Sequence, residues 1–187
     1  IGLLKGNLMD LVMVKEKAHV QRLREVIIDK SSPKIMPLGK RATLGDLASI
    51  QSLNPRQREA VLSVLNAEDY SMILGTPGSG KSTVIVETIK LLLARGKSVL
   101  VTSHTNTAVD NILARLAEEK VDFVRVGNVK SVSPAVKPYM VGGDKHKVDT
   151  FEDYKELVLS ASVLGCTCYN ISHSVFMQRS FDYCIVD

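Results

Sequence analysis

The stretch Gly75-Thr76-Pro77-Gly78-Ser79-Gly80-Lys81-Ser82 constrains this chain more than any other. Two glycines bracket four residues ahead of Lys and Ser, the pattern of a loop whose backbone N–H groups close around phosphate oxygens. Glycine is required because such a loop takes positive φ angles and brings backbone against ligand where a Cβ would obstruct. Lys81 then places a point charge on the β and γ phosphates of a nucleoside triphosphate, and Ser82 offers a hydroxyl to Mg²⁺. The flanks fit. Tyr70 to Leu74 reads as a buried strand, and Val84, Ile85, Thr88, Ile89, Leu92 and Leu93 recur at helical spacing up to Gly96. Strand, loop and helix in that order aim the helix N-terminus at the phosphates, adding its partial positive charge to that of Lys81.

At 187 residues the chain can bury one full core with an N-terminal extension. Ile1 in place of Met, and an end at Asp187 directly after the apolar run Tyr183 to Val186, read as the cut ends of a longer protein. Hydrophobic content of 45% with 24% charged residues describes a soluble globular chain. No apolar run approaches the roughly 18 residues of a membrane span, so no membrane role is expected. A net charge of +4 is compatible with a polyanionic partner without identifying one. Cys166, Cys168 and Cys184 lie in or beside apolar segments and read as inert core thiols in a reducing compartment; the single Cys-x-Cys pair lacks a full metal-ligand set.

Residues 1 to 14 alternate loosely, as an edge strand or the tail of a preceding domain does. Ala18 to Ile28 carries Val20, Leu23, Val26 and Ile27 at helical spacing with Arg22 and Arg24 outward, before Pro33 and Pro37 break the chain. A turn from Gly39 and a short helix near Leu44 to Ile50 follow. Asn54-Pro55 starts a helix whose buried face is Ala60, Val61, Val64 and Leu65. Gln57 in its first turn has the amide that recognises adenine bidentately, or is a solvated surface residue. Past Gly96, Ser98 to Thr102 is a strand, and Ser103-His104-Thr105-Asn106-Thr107 lies at its carboxyl end, where open parallel sheets bind ligands. That hydroxyl and amide cluster suits a nucleic-acid phosphate or a helix cap equally well. Ala108, Val109, Ile112, Leu113 and Leu116 bury one face of the next helix, leaving Asp110, Asn111 and Arg115 elsewhere around it. Phe123 to Val126 is a third strand. Residues 128 to 148, with four lysines, read as a surface excursion. Asp149 or Thr150 caps a helix through Leu159; Ser162 to Thr167 and Tyr183 to Val186 are further strands. Asp187 at the tip of the last can hold the Mg²⁺ touched by Ser82.

Leu53-Asn54-Pro55-Arg56-Gln57, the glycine-rich loop, the run from Val99 to Leu113, the segment Val163 to Ile171 and the close Phe181 to Asp187 together resemble superfamily 1 helicases, and within them the eukaryotic replicative helicase/nucleases that trim flaps. The resemblance implies a three-layer α/β RecA-like P-loop domain with a mainly parallel sheet over residues 53–187, preceded by a helical and linker segment over 1–52. It implies an ATP-dependent DNA helicase with nuclease activity in the longer protein. Gly75, Thr76, Pro77, Gly78, Ser79, Gly80, Lys81, Ser82 and Thr83 would hold ATP, with Gln57 on the base and Lys81 and Asp187 catalytic. Ser82 and Asp187 would hold Mg²⁺. Ser103, His104, Thr105, Asn106 and Asn111, with Thr167, would line single-stranded DNA. The resemblance further implies 5′-flap DNA, a single-strand-binding protein and replication factors as partners, and a nuclear location, with a mitochondrial one in addition. An acid to orient water, arginine fingers, nuclease carboxylates and four cysteine ligands of an iron–sulfur cluster would lie outside these residues. Two other readings fit: an RNA-directed superfamily 1 helicase, and a non-catalytic nucleotide-gated binding module.

Overall fold

Apolar runs alternating with helical segments after residue 95 call for parallel strands joined by helices. The computed structural model describes residues 18–36, 42–172 and 175–187. The tail or edge strand expected over residues 1 to 14 lies outside them, as do Pro37 and Gly39. Two compact units meet in sequence between Leu74 and Gly75.

The first unit contains helices α1 (Ala18–Ile27), α2 (Leu44–Ser49) and α3 (Pro55–Asn66). Thr43 and Asp46 form a capping box at α2, and Asn54 and Gln57 form another at α3, so both starts satisfy backbone N–H groups that no helical carbonyl reaches. Arg22 is not simply outward. Its Nε and Nη2 grip both oxygens of Asp69, at 3.3 and 2.9 Å, and Nη2 also donates to the Ser32 carbonyl. Asp69 accepts from the Lys34 N–H as well; the Arg22 hydrogen bond is the main cause holding its pKa below the usual carboxylate range. On α1, Val26 of the expected apolar face is buried, while Leu23 and Ile27 are exposed.

The run Tyr70 to Leu74 is not a buried strand. It carries no ladder, and Met72 and Leu74 are 76% and 91% exposed. Apolar residues take strand geometry when a neighbouring strand accepts their backbone groups, and among the described residues this run has no such partner.

The second unit is built on a four-stranded sheet. Its strands are β1 (Val99–Ser103), β2 (Val124–Arg125), β3 (Val163–Thr167) and β4 (Tyr183–Val186), in the order β2-β3-β1-β4, every pair parallel. Val99 stands opposite Val163 and Tyr183, so β1, β3 and β4 start in step. Every residue of β1 and β3 is buried, as parallel strands covered on both faces must be. Helices α4 (Lys81–Ala94) and α5 (Asn106–Glu118) form one covering layer. Gly165 is a glycine because Leu113 of α5 fills the space above it, where a Cβ would lie 2.5 Å from Leu113 Cδ1. The other face is covered by α6 (Phe151–Ser160), whose Val158 packs with Leu100, Leu164, Cys166, Val175 and Phe176. The three-layer α/β architecture with a parallel sheet is therefore present. Thr150, not Asp149, is the N-cap of α6, in a capping box with Asp153.

The excursion over 128–148 packs inward more than its composition suggests. Val132, Val136, Tyr139 and Met140 are buried, Tyr139 stacks on Phe123 with centroids 4.2 Å apart, and Lys145 lies over the Tyr139 ring. At the edge strand, Asp182 ties β4 to the start of β1. Its carboxylate accepts from the Ser98 N–H at 2.9 Å, from Ser98 Oγ at 2.8 Å and from Lys97 Nζ at 3.0 Å, the backbone bond being the largest cause of a pKa lowered to about 2. A depressed carboxylate pKa contributes stability that is complete above the unfolded value and lost as pH falls through the folded one. The difference in melting temperature between the wild type and Asp182→Asn should therefore be full above pH 4 and shrink between about pH 4 and pH 2. Thermal unfolding by circular dichroism across that range measures it; a pH-independent difference would remove Asp182 from this role.

Candidate nucleotide and nucleic-acid site

The glycines of the loop do what the sequence asks of them. Gly78 and Gly80 have φ of 80° and 85°, and Gly80 is the N-cap of α4 in left-handed conformation. A side chain at either position would be strained. No side chain caps α4, so the first N–H groups of this helix have no side-chain acceptor at the cap and point into the loop. Lys81 folds back into that loop: Nζ donates to the Gly75 carbonyl at 2.7 Å and to the Thr76 carbonyl at 3.2 Å. A Cβ on Gly75 would meet Ser79 Oγ at 2.5 Å and Lys81 Cγ at 2.9 Å, so this glycine keeps the cradle open. Thr76, Pro77 and Ser79 are exposed, while Ser82 and Thr83 lie half-buried in the first turn of α4.

The rim beside β1 is more committed internally. Ser103 is buried, and its Oγ donates to the carbonyl of Asp187 at 2.7 Å. His104 is exposed. Thr105 is the N-cap of α5, its hydroxyl accepting from the Ala108 N–H at 3.2 Å. Thr167 is buried opposite Ser103 at the end of β3. Asn111 is exposed on α5. Asp187 is exposed just past β4, its N–H donating to the Thr102 carbonyl. The structure thus brings Ser103, Thr167 and Asp187 together at the carboxyl ends of three adjacent strands.

Sequence reasoning passed over the residue that organises this rim. Arg125 of β2 is 0% exposed, and its Nε donates to Asp110 Oδ1 at 2.9 Å. Nη2 donates to Asn106 Oδ1 at 2.8 Å, and Nη1 to the Val126 carbonyl. Asp110, expected away from the buried face, is buried as well, and its second oxygen accepts from the Ser133 N–H at 2.7 Å. A guanidinium has donors only, so Asn106 must present its oxygen inward and carry its NH₂ on the opposite side. The available signal was an Asp between Val109 and Ile112 on an otherwise apolar face, which in a buried setting requires a cation.

Gln57 belongs to the first unit, where its side-chain oxygen accepts from the Asn54 N–H at 3.1 Å in the α3 capping box. That oxygen is the atom an adenine amino group would otherwise need. Among the described residues no three His, Cys, Asp or Glu side chains group as a metal site. A hydroxyl from Ser82 and a carboxylate from Asp187 are nonetheless hard oxygen donors of the kind Mg²⁺ takes alongside water and phosphate. Cys166 is buried, and burial pushes its thiol up to about 12, which leaves it unreactive at neutral pH. Cys168 and Cys184 are exposed, contrary to the expectation of core thiols.

The AAA domain family matches residues 52–150, more than half of the chain. The chain belongs to that family. It is also homologous to the DNA replication ATP-dependent helicase/nuclease DNA2 of Gallus gallus, 37% identical over 194 residues covering 100% of this chain and 19% of the relative. The corresponding protein of Homo sapiens is 36% identical over 192 residues, 97% of this chain and 18% of its own. That of Saccharomyces cerevisiae is 38% identical over 168 residues, 88% and 11% respectively. The chain thus spans less than a fifth of these curated relatives. This agrees with the superfamily 1 resemblance read from its motifs.

In this AAA domain the buried Arg125–Asp110 pair makes a direct prediction. Asp110→Ala leaves a guanidinium without its carboxylate in the interior and should cost about 3 to 5 kcal/mol, whereas removing both charges with Asp110→Leu and Arg125→Met should recover most of that. Urea unfolding of the single and double variants reads the difference; a loss below about 1 kcal/mol for Asp110→Ala would show that the pair is not closed to water.

Proposed function

We propose that residues 53–187 are the first motor domain of a DNA helicase/nuclease, that 1–52 lead into it from an upstream domain, and that the chain binds Mg²⁺-ATP and single-stranded DNA. The observation that carries this reading is the loop from Gly75 to Ser82. Gly78 and Gly80 hold left-handed conformations, a helix N-terminus without a side-chain cap opens into the loop, and an ammonium sits on its carbonyls. Lys81 exchanges neutral carbonyl acceptors for anionic phosphate oxygens, and charge-assisted bonds are the stronger. Mg²⁺, held between Ser82 and Asp187, would offset charge on the β and γ oxygens. Gln57 is the proposed reader of adenine, at the expense of its bond to the Asn54 N–H.

Lys81→Ala should lower affinity for a fluorescent ATP analogue at least tenfold without lowering the melting temperature, because the side chain is a ligand of the loop and not of the core. Equal affinity of both forms in a direct titration would end the assignment.

Single-stranded DNA is the proposed occupant of the rim, met at its phosphates. Thr105 and Asn106 open a helix of 13 residues whose N-terminal partial charge favours an anion. Arg125 turns the Asn106 oxygen inward, so the group left for a ligand is a donor, which suits a phosphate acceptor. In the longer protein this domain would act on 5′ flaps in the nucleus during replication and repair, with a single-strand-binding protein and replication factors as partners. Asn106→Asp is the discriminating substitution. A carboxylate keeps the Arg125 contact while replacing the donor with a negative charge, so the melting temperature should hold and affinity for oligo(dT) should fall about tenfold. Fluorescence anisotropy with DNA and RNA of equal length tests it. Unchanged affinity removes Asn106 from the interface, and stronger RNA binding would transfer the domain to RNA-directed helicases.

A further inference from the structure

A cleft in the second unit, of about 230 Å³, lies between α5 and the turn Val129–Ser131. Thr107 and Asn111, one helical turn apart, form one wall; Lys130, Ser131 and Ser133 form the other, with Asp110 between them. The turn is held in place. The Asn128 side chain accepts from the Lys130 N–H at 3.0 Å, Val132 is buried, and the Ser133 N–H is fixed to Asp110.

The electrostatics of the cleft select its ligand. Asp110 is the one carboxylate in the lining, and both its oxygens are engaged, one by Arg125 and one by Ser133. What remains is the ammonium of Lys130, the hydroxyls of Thr107, Ser131 and Ser133, and the amide of Asn111. Such a set donates to an anion. The lining holds no aromatic ring, so it provides no stacking platform for a base. Ser133 supplies a second, independent sign. Its Oγ is out of contact with solvent and has no hydrogen-bond partner among the described residues, a condition that is costly for a buried hydroxyl. With no bond to hold it, rotation about χ1 toward an acceptor in the cleft is opposed only by the difference between staggered wells.

The geometry points to this cleft as the seat of one phosphodiester of a polynucleotide, bound by Lys130, Ser133, Thr107 and Asn111. It rests on the proposed DNA-binding rim, which it continues along α5 from Thr105 past the first helical turn. Lys130 neutralises the phosphate, and the Ser133 hydroxyl donates to it after turning from its unpartnered position. Thr107 and Asn111 fix the other oxygens.

The test uses the whole chain with Ser133→Ala and Lys130→Gln, measured for melting temperature and for oligo(dT) binding by anisotropy over a salt series. Ser133→Ala keeps the backbone bond to Asp110 and removes an unsatisfied hydroxyl, so the melting temperature should hold or rise while affinity falls about three- to tenfold. A purely structural serine would not separate these two readings. Lys130→Gln should flatten the dependence of log K on log salt by about 0.7, the share of one single-strand phosphate. Wild-type affinity and slope in both variants would overturn the proposal, and if inorganic phosphate then shifted the amide signals of Ser131 and Ser133, the cleft would be a site for a free anion instead. Asn106→Asp in the same series keeps the two readings apart: loss there with unaltered cleft variants leaves the rim standing alone, and the reverse leaves the cleft.

Discussion

A single buried guanidinium holds the β2 edge of this domain together. Arg125 lies on a strand of two residues at the edge of the sheet, too short to secure itself by its ladder alone. Its side chain supplies what the ladder lacks. It reaches Asp110 and Asn106 of the neighbouring helix, while Asp110 in turn takes the Ser133 N–H. An ion pair out of water does not stabilise a fold better than a well-packed apolar pair would. Its use is specification: donors on one side and acceptors on the other admit one arrangement of strand, helix and turn. The orientation of the Asn106 amide and the shape of the cleft beside Ser133 are both consequences of that one arrangement.

The opposite edge of the sheet is secured differently. β4 is the outer strand next to β1, and Val186 is 69% exposed. Burial therefore contributes less there than in β1 or β3, and polar contacts stand at both ends of the strand. Asp182 fastens its start through Ser98 and Lys97, and the Ser103 hydroxyl fastens its end through the carbonyl of Asp187. The placement of Asp187 thus depends on Ser103, a residue whose hydroxyl would otherwise seem offered to a ligand.

The helices, the parallel strands β1, β3 and β4 and the glycine-rich loop were legible because each rests on local pattern: helical spacing, β-branched runs, caps, and glycines at positive φ. Tyr70 to Leu74 misled for the same reason. Its composition is that of a strand, yet strand geometry depends on a partner that composition does not reveal. The rim was legible as a cluster but not in its division of labour. Thr105 and Ser103 turn out to cap and brace, readings that spacing could not separate from ligand contact. Arg125 was invisible because its function is defined by partners 15 and 19 residues upstream, brought to it only by folding. The inward packing of Val132, Val136 and Tyr139 in a lysine-rich, proline-broken stretch was hidden likewise, since irregular segments have no period to read.

The two helices that begin at the proposed ligands are also joined to each other. Arg115 of α5 donates to Thr83 Oγ1 at 3.3 Å, and Lys90 of α4 pairs with Glu119 at 3.1 Å while holding Glu87 of its own helix. The two contacts between the helices are exposed, so each contributes little stability. Their positions matter more than their strength. Thr83 follows directly on Lys81 and Ser82, and Arg115 lies on the helix that carries Thr105, Asn106 and Asn111. A shift of the first turn of α4 on closing around phosphates would be felt by α5 through a hydrogen bond as well as through packing. In a sheet with both helices on one face, the loop and the rim cannot move independently without breaking that bond or straining Leu113 against Gly165. The loop and the rim, the proposed seats of nucleotide and DNA, are therefore joined by a short physical route through two adjacent helices that share one layer.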